Sequence, residues 1–164
     1  MRRFFYFLAT FIFIVAFNYR VKAQDTSGDM KYDTVHAMYN ENEIKWMDVP
    51  PFLPKGAKIA VLQGDPSKDG EFTVRLTFPA NYKIPPHWHP TAENVTVLKG
   101  TFYLGTGDKI DESTATVLQT GGFASIPATH HHFAFTKEEC IVQVHALGPF
   151  TINYINPADD PSKQ

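Results

Sequence analysis

From Ala57 onward the chain breaks every few residues: short runs rich in β-branched and aromatic side chains alternate with glycine- and proline-bearing reversals, and no long helical period interrupts them. Such a sequence has few folds open to it. Runs over 58–63, 71–78, 85–89, 93–99, 101–105, 122–126, 132–136, 140–146 and 151–156 read as strands, and their even spacing points to an all-β closed sandwich or barrel. Glu71-Phe72-Thr73-Val74-Arg75-Leu76-Thr77-Phe78 alternates cleanly, so one face packs while the other meets water or a polar cavity. Residues 111–118 are expected to form one short helical turn. Around this domain, 57–156, the expected parts are a leader at 1–23, a polar N-terminal arm at 24–56 and a polar C-terminal tail at 157–164, disordered from 159. Within the arm, 44–47 is a candidate edge strand ahead of the stiff Pro50-Pro51-Phe52-Leu53-Pro54 segment.

The leader reads as a signal peptide. Arg2-Arg3 precedes an apolar run from Phe4 to Phe17, and Val21-Lys22-Ala23 is a small-residue cleavage site. The run is short for a membrane span, which needs about 20 residues, so export to a periplasmic or secreted location is expected. Cleavage would take Arg2, Arg3, Arg20 and Lys22 from the fifteen basic residues and nothing from the seventeen acidic ones, leaving eleven against seventeen, a formal charge of −6. With no basic cluster left, nucleic acid is a poor partner. Cys140 is the single cysteine, which rules out an intramolecular disulfide and suits a small buried hydrophobe. Asn94-Val95-Thr96 matches a glycosylation acceptor, but it falls inside an expected strand and is read as coincidence.

The chemistry concentrates in His87-Trp88-His89 and Glu93. Histidines at i and i+2 share a face on a strand, and Pro85-Pro86 argues against a helix there. Pro90-Thr91-Ala92 reads as a tight turn that brings Glu93 back beside His89. Two imidazoles with one carboxylate suit one divalent transition metal ion, Fe, Mn, Ni, Cu or Zn, better than the oxygen-seeking Ca or Mg.

At these residues the chain resembles the cupin superfamily. His87, His89, Glu93 and Gly100 match the first cupin motif, G(x)5HxH(x)3-4E(x)6G, with Asn81 standing for its leading glycine. Gly121, Pro127 and His132 match the second, G(x)5PxG(x)2H(x)3N, with Thr129 in place of a glycine and Thr136 in place of the asparagine. The resemblance implies a double-stranded β-helix, a jelly-roll barrel, with one metal held by His87, His89, Glu93 and His132. A threonine suits position 129 if φ stays negative there. Strand alternation puts His130 with His132 and sets His131 opposite; His130 is then either a group near the mouth or an exposed loop histidine. Trp88 faces away from the metal, Gln143 and His145 share a strand face that either lines the pocket or does not, and Arg75 is an anchor for an acidic substrate or a solvent-facing residue. His36, in the arm, has no assigned role.

Three imidazoles and a carboxylate leave one or two metal positions open, as catalytic sites require. No Ser-His-Asp set or phosphate-cradling glycine loop accompanies them. The expected function is therefore a metal-dependent oxidoreductase of dioxygenase type acting on a small oxygenated molecule. The alternatives are a non-catalytic metal-containing binding module and a Zn- or Mn-dependent isomerase or lyase. A cavity plugged by Phe102, Tyr103, Phe123 and Phe135 would favour the binding module. Similarity to cupins, which often pair through outer strands, makes a homodimer a candidate assembly.

Overall fold

The computed structural model describes residues 36–163. The expected leader, and the arm as far as residue 35, lie outside the described residues. Eleven strands follow in chain order: β1 (Met47–Asp48), β2 (Lys58–Gln63), β3 (Gly70–Phe78), β4 (Lys83–Trp88), β5 (Glu93–Lys99), β6 (Thr101–Thr106), β7 (Thr116–Gln119), β8 (Phe123–Ile126), β9 (His132–Phe135), β10 (Cys140–Gly148) and β11 (Asn153–Tyr154). They form two sheets, ordered β1-β2-β3-β10-β5-β8 and β11-β4-β9-β6-β7, with antiparallel pairing throughout. The protein is a jelly roll: the chain crosses between two facing sheets, and the apolar residues of each alternating strand fill the space between them.

Phe72, Val74, Val142 and Val144 are buried from one sheet, Phe102 and Ala134 from the other. Each of the phenylalanines and valines among them contributes about 1.5–3 kcal/mol on burial. Phe78 stacks on both Tyr82 and Phe102, with ring centroids 5.1 and 5.8 Å apart. Cys140 is buried in this core as a free thiol, and burial pushes its pKa up to about 11, so it is inert at neutral pH.

Local signals misled at four places. The helical turn expected over 111–118 is a reversal at 112–114 followed by β7, which pairs with β6. Asp111 caps that reversal, its carboxylate accepting from the Ser113 amide at 3.0 Å, and such a contact looks in sequence like a helix start. The run at 151–156 keeps only Asn153–Tyr154 as strand, and the edge strand expected at 44–47 is Met47–Asp48. The tail, expected to be disordered, forms two 3-10 turns, Pro157–Asp159 and Pro161–Lys163, the first capped by the Asn156 side chain.

One irregularity matters for the site. In β4, Ile84 pairs with Ala134 but His87 pairs with His132, so three residues of β4 span two of β9. This β-bulge lies at Pro85-Pro86, where a residue with no N–H to donate is best tolerated.

Candidate metal centre

The bulge sets the direction of the first histidine. Ile84 points into the core, and strict alternation would turn His87 outward; the extra residue reverses the phase and His87 is buried instead. His132 lies directly across from it on β9, with ring centroids 4.1 Å apart. His89 follows just beyond the end of β4, 4.9 Å from His87 and 5.3 Å from His132 between ring centroids. The three offer ligand nitrogens all within 4.8 Å of one another. Glu93 opens β5 in the opposite sheet, with Oε2 3.4 Å from His132 Nε2 and 3.8 Å from His89 Nε2.

Each imidazole is oriented by a backbone carbonyl. Nδ1 of His87 donates to Pro85 O at 2.8 Å, Nδ1 of His89 to Thr151 O at 2.8 Å, and Nδ1 of His132 to His130 O at 2.9 Å. A carbonyl only accepts, so the proton sits on Nδ1 and each Nε2 presents a lone pair to the centre. His132 Nε2 is buried without a hydrogen-bond partner. Its lone pair faces a carboxylate oxygen, an arrangement of two acceptors that a cation between them resolves. The donor set fits a divalent transition metal on this ground.

Electrostatics agree. Burial, reinforced by the His132 and His89 rings, pushes the His87 pKa down to about 3. Burial also lowers that of His89, against the opposing pull of Glu93. For Glu93 burial acts upward, but the three imidazoles outweigh it and hold the carboxyl below its ordinary value. The ligand forms, neutral imidazole and ionised carboxylate, are therefore the favoured ones.

A cavity of about 520 Å³ opens beside His87 and His89. It is not plugged by the aromatics named from the sequence. Phe102 and Phe135 are in the core, Tyr103 stacks on Phe135 at 4.7 Å, Phe123 is exposed, and none lines the cavity. Phe150 lines it, stacked on the His89 ring at 4.0 Å and 18°. Nothing local in the sequence signals that contact, which joins residues sixty-one apart.

Three of the four further pocket candidates lie away from the metal cavity. Gln143 and His145 lie on the outer face of β10, because Val142, Val144 and Ala146 occupy the inner one. Arg75 pairs with Gln143 across β3 and shares that outer face, its Nε donating to Gln143 Oε1 at 2.8 Å. The fourth, His130, is an exposed loop residue whose carbonyl, not its ring, serves the site. His131 is a surface group 2.6 Å from Asp108, and Trp88 is half-buried.

The departures from the two motifs also find their reasons. Asn81 and Thr129, standing for glycines, both have positive φ, 60° and 61°, so the left-handed backbone persists without the glycine. The expectation of negative φ at Thr129 is thus corrected; its amide donates to His89 O at 2.8 Å, which holds the turn in place. Thr136, standing for asparagine, is buried, accepts from the Tyr82 amide at 3.2 Å and donates to Pro79 O at 2.7 Å.

Residues 34–151 match the ChrR cupin-like domain family. The chain belongs to that family of cupins. Among solved structures it is similar to the polyketide cyclase RemF from Streptomyces resistomycificus, at 20% identity and a TM-score of 0.65, over 79% of this chain and 92% of that one. A proposed acetylacetone dioxygenase from Methylibium petroleiphilum gives 19% identity and a TM-score of 0.60, over 80% and 90%. An RmlC-like cupin from Shewanella frigidimarina gives 16% and 0.54, over 69% and 91%. At these identities the likeness is one of fold. Among curated proteins none matches. No helix among the described residues is long and apolar enough to cross a membrane.

Proposed function

We propose that this cupin is an exported, metal-dependent oxidoreductase of dioxygenase type that acts on a small oxygenated organic molecule. The observation that carries the reading is the convergence of three carbonyl-oriented imidazoles and Glu93, two of the imidazoles, His87 and His89, lining an open cavity. His87, His89, His132 and Glu93 would hold the ion. A redox-active metal bound there would supply electron transfer to dioxygen, whereas Zn, or Mn acting without a change of oxidation state, would supply Lewis acidity. The carbonyls of Pro85, Thr151 and His130 fix each ring's orientation and hold the proton of the neutral ring on Nδ1, which aims Nε2 at the centre. Glu93 brings one negative charge to the centre, and the burial of all three histidines keeps bulk water from competing for their nitrogens. The open cavity favours a small-molecule site over a metal used as structure alone. The polyketide cyclase and proposed acetylacetone dioxygenase among the neighbours are examples of enzymes on oxygen-bearing carbon skeletons. Export rests on the basic, apolar and small-residue order of residues 1–23.

Elemental analysis of the purified protein combined with oxygen uptake across a panel of diols, enols and phenols tests this. A stoichiometric redox metal and substrate-dependent oxygen consumption are expected. Metal-loaded protein that consumes no oxygen and transforms nothing would overturn the oxidoreductase assignment.

A further inference from the structure

We infer that the ligand of this site is uncharged and mainly apolar, that it enters across a sill of Met47, Phe52 and Val61, and that it lies against Phe150. The inference rests on the proposed function for where the chemistry occurs, and goes beyond it in naming the ligand class.

Charge comes first. No lysine or arginine lines the cavity. The two carboxylates that do, Asp48 and Asp65, are engaged by Lys58 at 2.6 Å and Lys68 at 2.9 Å, so the rim holds no spare cation for an acidic ligand. Polar groups on the lining are few and partly taken: the Ser67 hydroxyl donates to Asp65, the Thr151 carbonyl accepts from His89, and the Thr151 hydroxyl accepts from Asn153 at 3.3 Å, which leaves mainly that hydroxyl's proton and the rim carboxylates' outer lone pairs for a ligand. A sugar or other polyhydroxylated ligand would lose water here and replace only some of its hydrogen bonds, at about 1–3 kcal/mol for each group left unpaired.

Exposed apolar surface comes second. Of the nine large hydrophobic residues exposed among the described ones, Met47, Phe52 and Val61 border this one cavity, although they come from β1, the proline-rich segment and β2. Apolar patches concentrated at a cavity mouth mark a place where an apolar body is received. The proline-rich side of the sill is fixed from behind, since Tyr154 Oη donates to Phe52 O at 2.8 Å and Tyr82 Oη to Pro54 O. Inside, Phe150 is clamped between the His89 face and the edge of Phe72, at 5.2 Å and 65°, giving a rigid aromatic wall next to the ligand histidines.

The test measures binding, not turnover, by calorimetry on the full chain as purified and after chelation. The probes are 2-naphthol, 2-naphthoate and glucose. In the chelated protein 2-naphthol is expected to bind at least about tenfold more tightly than 2-naphthoate, with glucose undetected, because a carboxylate without a partner is costly to bury. Val61 is on the exposed rim, so Val61→Lys is expected to leave metal content and thermal midpoint unchanged while weakening 2-naphthol about fivefold and strengthening 2-naphthoate. Equal binding of the two naphthalenes, measurable glucose binding, or indifference of both probes to Val61→Lys would overturn the inference. So would a dimer, seen by sedimentation, that Val61→Lys dissociates and that binds no 2-naphthol. If native protein proves free of metal but selects 2-naphthol through Val61, the metal-enzyme reading fails and the ligand class stands.

Discussion

Two pairs of polar residues at i and i+2, on strands of opposite sheets, meet opposite fates. His87 and His89, on and just beyond β4, are buried at the centre of the site; Gln143 and His145 on β10 look outward. The outer pair rides on regular strand, where β10 pairs with β3 without a break from Cys140 to Gly148. Its chain of hydrogen bonds runs from Arg75 through Gln143 to His145 Nε2, and from His145 Nδ1 to the Thr73 hydroxyl, so both ring nitrogens are occupied. The inner pair stands on irregular backbone: a bulge at Pro85-Pro86 before it, and a left-handed threonine whose amide braces His89. Its Nδ1 atoms are taken by backbone carbonyls, which turns each Nε2 toward the shared centre. Period two makes such pairs share a face, but irregular backbone decides which histidines end up with a nitrogen to spare.

Removing one ring from each pair gives the largest contrast. His89→Ala is expected to abolish metal binding and to lower stability by about 3 kcal/mol at a hundredfold excess of metal over its dissociation constant. His145→Ala, and His131→Ala on the surface, are expected to leave metal content unchanged. Elemental analysis and thermal melts of the three variants decide it, and equal losses from His89→Ala and His145→Ala would break the comparison.

Acid separates the pairs next. In the metal-free protein His87 titrates near 3 and His89 below its ordinary value, because burial disfavours the charged ring. The unfolded chain takes up these protons near pH 6.5 and the folded chain does not, so stability is full above about 6.5 and falls as pH drops, by about 1.4 kcal/mol per unit for each histidine until its folded value is reached, near 3 for His87. Glu93, held low in the folded state, acts in the same direction at the acid end, its contribution present above its ordinary value and lost as pH falls through the folded one. Metal occupancy is expected to persist below about pH 6 while the protein stays folded, because the folded rings resist protonation, and to fall as acid unfolds the chain. Urea midpoints at pH 7.5 and 5.5 that coincide would show that the histidines are not held neutral.

The sequence carried the regular parts of this molecule well and the irregular ones poorly. The runs at 58–63 and 93–99 are strands with the bounds their alternation suggests, and the motif spacing brought His87, His89, Glu93 and His132 together before any coordinates. The orientation of Gln143 and His145 was also present, in the Val142-Val144-Ala146 set that takes the inner face. Phe150 against His89 was not, because a ring stack between distant loops leaves no periodic trace. Nor was the bulge: Pro85-Pro86 announced an interruption without saying that the interruption reverses the phase of the strand.

A bulge held by proline also suggests a milder perturbation. Pro86→Ala restores freedom to the unfolded chain and is expected to cost about 0.4–1 kcal/mol, with metal content retained, because the register shift is set by the whole β4–β9 pairing. Loss of metal in this variant would mean that the second proline ring itself, not the count of residues, turns His87 inward.

The smallest effect probes the brace under His89. Thr129 is β-branched and sits at φ 61°, where an L residue crowds its own carbonyl at a cost of about 1–2 kcal/mol. Glycine relieves that crowding but loses more entropy on folding, by about 0.5–1 kcal/mol, so Thr129→Gly is expected to stabilise by somewhat less than 1 kcal/mol. Asn81→Gly, at φ 60°, is the control: asparagine tolerates this region, and the balance should be near zero or slightly destabilising. Urea midpoints of the two variants test the difference. If Thr129→Gly destabilises instead, the threonine hydroxyl, which donates to Ala128 O at 2.7 Å, does more to hold the turn than its branched side chain does to strain it. The brace beneath the inner pair would then be a second fixed hydrogen bond and not a tolerated strain.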